Sequence, residues 1–225
     1  MIYKADLNES YFESLFYINR YYGITQNLDT KDFVIIMKFY KYDLYHYIRK
    51  NFYDLDWNKK LNILKWIHIE LGFIHKQGII HRDFHSGNIL IENESDIVIS
   101  DLGISKLSTD LSDDENNYYG IMPYIAPEIF QEKKYTKASD IYSFSIIMWE
   151  LMNGKRPFED QAYDTDLMIQ IIDGARPPID TNAPKGYIEL MQQCWDSDSN
   201  KRPTSDNIDD IDIISNDYNE SVDYG

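Results

Sequence analysis

Residues His81 to Leu90 read HRDFHSGNIL, and the rest of the chain is placed by working outward from them. The stretch sets a carboxylate, Asp83, ahead of a side-chain amide, Asn88, and runs directly into the apolar triplet Ile89-Leu90-Ile91. A second apolar triplet, Ile97-Val98-Ile99, leads to another carboxylate, Asp101, at the head of the turn Asp101-Leu102-Gly103. Two short strands joined by a turn carry Asn88 and Asp101 to the same end of a hairpin. Hard oxygen donors gathered in this way suit Mg²⁺, which takes carboxylate or amide oxygens together with phosphate and water. Asp83, on the loop before the hairpin, is left free to accept a proton from a hydroxyl. Positioning, charge neutralisation by a metal and a single base are what phosphoryl transfer requires.

Further on comes Ala126-Pro127-Glu128. HRD-x4-N, then D-L-G, then A-P-E, in that order, resembles the protein-kinase set of catalytic loop, metal-binding turn and following segment. The likeness covers about residues 20 to 215. It implies an α+β, protein-kinase-like fold with a mainly helical C-lobe and a reduced β N-lobe. It also implies Asp83 as catalytic base, Asn88 and Asp101 as catalytic residues that hold Mg²⁺, ATP as cofactor and a protein as substrate. YIELMQQCW at 187–195 with Arg202-Pro203 behind it, and His85-Ser86 in the catalytic loop, are most similar to the tyrosine-kinase-like group.

The length of 225 residues suits one domain or two lobes sharing a cleft. A net charge of −16 would repel phosphate over most of the surface, which argues against nucleic acid and anionic membranes as partners. The one cysteine, Cys194, excludes an internal disulfide and fits a reducing, cytoplasmic compartment; its apolar neighbours mark it as a buried thiol. No apolar run approaches the roughly 20 residues of a membrane span. Oligomeric state is not encoded in any pattern we recognise.

Residues 1–40 are expected to be a remnant of the N-lobe, 41–215 the C-lobe, and 216–225 an acidic, disordered tail. Arg20 to Thr25 and the β-branched, aromatic run Asp32 to Tyr40 read as a hairpin joined by polar residues 26–31. In a kinase these would be the fourth and fifth strands. Met37 would then be the gatekeeper, with Lys38, Phe39 and Tyr40 as the hinge and Leu90 as the floor under adenine, so Met37, Lys38, Tyr40 and Leu90 are the expected nucleotide contacts. The chain departs from the family pattern upstream, where no glycine-rich loop precedes Gly23. Lys4, with Glu9 or Glu13, is a candidate for the family's lysine–glutamate pair, and a solvated surface lysine is the competing reading. The resemblance therefore implies a shortened or truncated small lobe.

The C-lobe pattern is clearer. Asp43 is placed to cap a short helix carrying Leu44, Tyr47 and Ile48. Trp57, Leu61, Leu64, Ile67, Leu71 and Ile74 recur at helical spacing up to Gly78. His68 and His75 on that helix are read as packing or surface residues, since no third metal ligand is near in sequence. Ile104 to Tyr119 is acidic and stands where an activation segment would be; Ser108, Thr109, Ser112, Tyr118 and Tyr119 are candidate acceptors of a regulatory phosphate, with Arg82 as the cationic partner the resemblance implies, and an unmodified mobile loop is the competing reading. Ile121 stands where many serine/threonine kinases have threonine. Asp140 to Met152 is apolar almost all round, with Asp140 positioned to cap its own helix and, by the resemblance, to hold the catalytic loop. The resemblance also implies a buried Glu128–Arg202 ion pair.

Two functions stay open on these grounds. The first is a protein kinase with Ser/Thr preferred over Tyr. The alternative is a catalytically weak or inactive pseudokinase that serves as a binding platform, since loss of phosphate positioning removes much of the rate in this chemistry. A small-molecule kinase would share the three acidic and amide residues but not Ala126-Pro127-Glu128 or the helix at Asp140.

Overall fold

The computed structural model describes residues 21–109, 119–179, 183–208, 211 and 214. Strand β1 (Tyr21–Gln26) pairs antiparallel with β2 (Phe33–Met37), closed by a turn in which the Asn27 N–H donates to Asp32 O at 2.9 Å. The hairpin expected from sequence is thus present; Arg20, Lys4, Glu9 and Glu13 lie outside the described residues. β3 (Tyr42–Asp43) leads into α1 (Leu44–Asn51), whose first turn is capped by Asp43 accepting the His46 N–H at 2.8 Å. α2 (Trp57–Lys76) is capped by Asp56 and followed by Gly78 at φ +74°, a left-handed position that costs glycine little. Its predicted apolar stripe is buried from Leu61 to Ile74.

Short strand β4 (Ile79–Ile80) ends α2's exit, and β5 (Ile89–Asn93) and β6 (Asp96–Ile99) form the predicted hairpin. β7 (Lys106–Leu107) returns to pair with β4, and β3 adds to the β5 edge, so the described strands form three small sheets. The remaining elements are helical: α3 (Pro127–Phe130), α4 (Lys137–Asn153), α5 (Thr165–Ile172) and α6 (Lys185–Cys194). α4 is buried at every residue from Ser139 to Met152, as expected for a helix apolar on all sides. Its start differs from expectation. Thr136, not Asp140, caps it, through a reciprocal box with Ser139; Asp140 is then one turn inside and free for other bonds. Among the described residues no helix is long and apolar enough to cross a membrane.

Among the described residues the core runs from Leu44 on α1 to Ile214 and includes none of β2 and none of residues 22–26 of β1. A buried ion pair joins α3 to the segment after α6: Arg202 donates to both Glu128 oxygens at 2.7 Å and to Ala138 O. Bidentate geometry with a third acceptor is what makes such burial tolerable, because the guanidinium is not left short of partners. His75 and His68 are indeed packing residues: His68 donates to Ser205 O at 2.6 Å.

Candidate active site

The loop from His81 to Asn88 hangs between α2, α4 and the β5–β6 hairpin, and each contact follows from a named group. Asp140 on α4 accepts the His81 N–H at 2.8 Å, the Arg82 N–H at 3.1 Å and the His75 ring N–H at 2.9 Å. Arg82 has φ +74°, a conformation that costs a non-glycine residue about 1–2 kcal/mol. The two backbone bonds to a carboxylate at 1% exposure hold it there. His81 is fully buried, which pushes its pKa down and keeps it neutral: Nε2–H donates to Ser100 O at 3.0 Å, and Nδ1 accepts the Asp83 N–H at 3.3 Å.

Asn88 closes the loop on itself. Its Nδ2 donates to Asp83 O at 2.9 Å and to Asp83 Oδ2 at 3.1 Å, which leaves Oδ1 with no donor among the described residues. Asn88 O in turn accepts from Ser100 N–H at 2.8 Å and from Ser100 Oγ at 2.9 Å. Ser100 is the residue before Asp101, and Ile89 pairs with Ile99, so Asn88 and Asp101 stand at one end of the β5–β6 hairpin. Asp101 is itself exposed, at φ +58°, and its Oδ1 accepts the Gly103 N–H at 3.3 Å.

Asp83 has two unlike oxygens. Oδ2 is engaged by Asn88; Oδ1 is buried with no hydrogen-bond partner. His85 Nε2 stands 3.4 Å from Oδ1, long for a hydrogen bond but close enough to act on its charge. The His85 ring, with the Asn88 amide adding to it, holds the Asp83 carboxyl below its ordinary value against the opposing effect of burial. Gly120 lines the same oxygen at φ +102°, and a Cβ there would come within 3.0 Å of Oδ1. An ionised acceptor with one oxygen that accepts no hydrogen bond is suited to taking a proton from a hydroxyl.

The chemistry of the donor set fits a divalent cation held with phosphate. Asn88 Oδ1 and the exposed Asp101 carboxylate are hard oxygens at one edge, too few to enclose a metal alone, and among the described residues no three His, Cys, Asp or Glu side chains cluster to do so. Two protein ligands completed by phosphate and water is the habit of Mg²⁺.

The expected nucleotide contacts are less gathered. Leu90 is half-buried on β5, opposite Asp43 and Val98, whereas Met37 ends β2 on a separate sheet at 37% exposure. Lys38 bonds Asp96 at 2.6 Å and lies 4.4 Å above the Tyr40 ring, so the side chains of this expected hinge are tied to each other and to β6. Of the expected phosphate acceptors, Ser112 and Tyr118 fall outside the described residues, as do Asp110 to Glu115. Tyr119 is described, and the Tyr135 hydroxyl both accepts its N–H at 2.9 Å and donates to its O at 2.8 Å. The two rings lie 4.6 and 5.1 Å from the Arg82 guanidinium. Tyr135 and Ser100 were not foreseen, and nothing in the sequence marked them: a lone tyrosine and a lone serine carry no spacing signal.

The family described as protein tyrosine and serine/threonine kinase matches residues 13–211. Among curated proteins, a putative serine/threonine-protein kinase/receptor of Acanthamoeba polyphaga mimivirus is 32% identical over 68% of this chain and 9% of its own length. A serine/threonine/tyrosine-protein kinase of Arabidopsis thaliana is 32% identical over 71% of this chain and 41% of its own. The receptor-interacting serine/threonine-protein kinase 1 of Homo sapiens is 32% identical over 61% and 23% respectively. The chain therefore spans less than half the length of each of these relatives.

Proposed function

Because the chain belongs to the protein tyrosine and serine/threonine kinase family, we propose that it transfers the γ-phosphoryl group of ATP to a protein hydroxyl, with Asp83 as the base. The observation that carries this is the buried, unpartnered Oδ1 of Asp83 beside Gly120, on a carboxyl held in its ionised form. The acceptor hydroxyl docks against Oδ1 and gives it the proton, while Asn88 fixes Oδ2 and so orients the carboxylate. Asn88 Oδ1 and Asp101 hold Mg²⁺, which when bound neutralises charge on the phosphates. Met37, Lys38, Tyr40 and Leu90 are the adenine contacts of this reading, with residues 1–40 as N-lobe remnant, 41–215 as C-lobe and 216–225 as tail.

Serine or threonine is the preferred acceptor, in keeping with the relatives' names, and the tyrosine-kinase-like group is the branch that the YIELMQQCW segment supports. Cys194, buried and unpaired on α6, is compatible with a cytoplasmic, reducing compartment.

Phosphoryl transfer from ATP to a generic protein acceptor tests the reading. Asp83→Asn is expected to lower the rate by about 10²–10⁴-fold, the usual contribution of a general base. It should leave the Mg-ATP thermal shift in place, whereas Asp101→Ala removes both. Transfer unchanged by either substitution overturns the assignment. Nucleotide binding without turnover in the unaltered chain would make it a binding platform instead.

A further inference from the structure

A cavity of about 90 Å³ opens beside the catalytic loop, bounded by His85 and Ser86, by the start of α1 and by Arg156 just beyond α4. That is several times the space one water needs. Most of its polar groups are already engaged. His85 Nδ1 accepts the Gly87 N–H at 3.0 Å, and the Ser86 and Tyr124 hydroxyls share a hydrogen bond at 3.3 Å. Asp43 uses both oxygens on His46, Oδ1 for its N–H at 2.8 Å and Oδ2 for its ring N–H at 2.7 Å. The Tyr163 hydroxyl donates to Pro157 O at 2.6 Å.

Arg156 is the exception. Its guanidinium lies 4.1 Å from the centre of the Tyr45 ring, whose hydroxyl accepts from Arg49 at 2.5 Å. It makes no hydrogen bond or ion pair with any described residue. A guanidinium offers five N–H donors in one plane and matches the geometry of carboxylate and phosphate. Seated on an aromatic face it is already ordered, so less freedom is lost when a ligand binds. The nearby carboxyl groups compete weakly for it. Asp43 is engaged by His46, and Glu150, buried against Ser86 and Tyr124, is pushed up to about 7 by that burial.

The cavity also lies within reach of the transfer site. His85, which lines it, places Nε2 3.4 Å from Asp83 Oδ1. An extended chain advances about 3.3 Å per residue, so a side chain one or two positions from an acceptor at Asp83 reaches the cavity. The net charge of −16 disfavours an acidic segment at long range. Salt screens that field beyond about 10 Å, whereas Arg156 acts at contact.

We propose that Arg156 is a specificity residue that binds an anionic side chain, carboxylate or phosphate, one or two positions from the acceptor hydroxyl. This rests on phosphoryl transfer with Asp83 as the base, and adds to it the chemistry of the substrate.

Serine peptides in an alanine background, with Asp, phosphoserine or Lys at either of two positions on each side of the acceptor, test it with the full chain and Mg-ATP. At one position or more, kcat/KM should be about 10-fold higher with Asp than with Lys. A further gain with phosphoserine would assign a previously phosphorylated substrate, and none an acidic one. Arg156→Glu should invert the order so that Lys exceeds Asp, which misfolding would not produce. Fluorescence polarisation of labelled peptides with Ala in place of the acceptor reads the cavity apart from turnover. Preference for Asp in binding, without transfer to any peptide, would overturn phosphotransfer and leave the anion site standing. Equal binding of Asp and Lys peptides, or an order unchanged by Arg156→Glu, overturns the role of Arg156.

Discussion

Glu70 stands on the buried face of α2 at 6% exposure, with Oε2 unpartnered, and burial alone pushes its carboxyl up to about 8. Its position was legible, three residues after Ile67 and four before Ile74 on the stripe, yet a charged letter hides a core site when residues are read by polarity. The sign of its effect is fixed by the two states. The unfolded chain loses this proton near 4.5, while the folded chain keeps it to about 8, so stability falls as pH rises through that window. Below it both states are protonated and Glu70 costs nothing. Glu70→Gln should therefore flatten the decline in unfolding midpoint between pH 5 and pH 8 and raise the midpoint at pH 8 by a few degrees. Glu150, pushed up to about 7 by full burial, titrates in the same window and accounts for the slope that persists. An unchanged pH profile in the Gln variant would show that Glu70 is solvated in the folded chain.

Elements meet the site through α4, and here sequence and structure diverge at one residue. The helix, its burial and the role of Asp140 toward the loop were all expected; the cap was not. Thr136 and Ser139 form the box with serine where glutamate is usual, a pattern too common to stand out. Freed from capping, Asp140 collects three donors from two other elements. Asp140→Ala would leave the His81 and Arg82 N–H groups buried without an acceptor, at about 1–3 kcal/mol each. Amide exchange at those two positions should accelerate by about 10- to 100-fold while α6 stays protected. The Glu128–Arg202 pair obeys a different rule. Either Glu128→Leu or Arg202→Leu alone should cost about 3–5 kcal/mol in urea denaturation, since one charge stays buried, and the double substitution should cost far less than their sum. Additive losses would mean that the two side chains are not paired in solution.

At the scale of the whole molecule, the two halves of the chain carry unequal burdens. β2 was recognised as a strand because Phe33-Val34-Ile35-Ile36-Met37 is β-branched and apolar, but an unbroken apolar run normally reports a strand covered on both faces. All five residues are instead partly exposed, and no periodicity within the strand could have announced that. The helices from α1 onward were legible because α1, α2 and α6 alternate apolar and polar positions at helical spacing and α4 is apolar all round, all pointing to one core. Among the described residues that core begins at Leu44, so removal of residues 1–40 takes away no described member of it. The described bond lost from its surface is chiefly Lys38–Asp96, a half-exposed pair of the kind worth less than about 1 kcal/mol. Residues 41–225 should thus unfold cooperatively within a few degrees of the full chain, with the near-ultraviolet dichroism of their buried tyrosines and tryptophans intact. The Mg-ATP shift should vanish with Met37, Lys38 and Tyr40. A shortened chain that melts without cooperativity would place part of the folding nucleus in the hairpin and refute a boundary at residue 40.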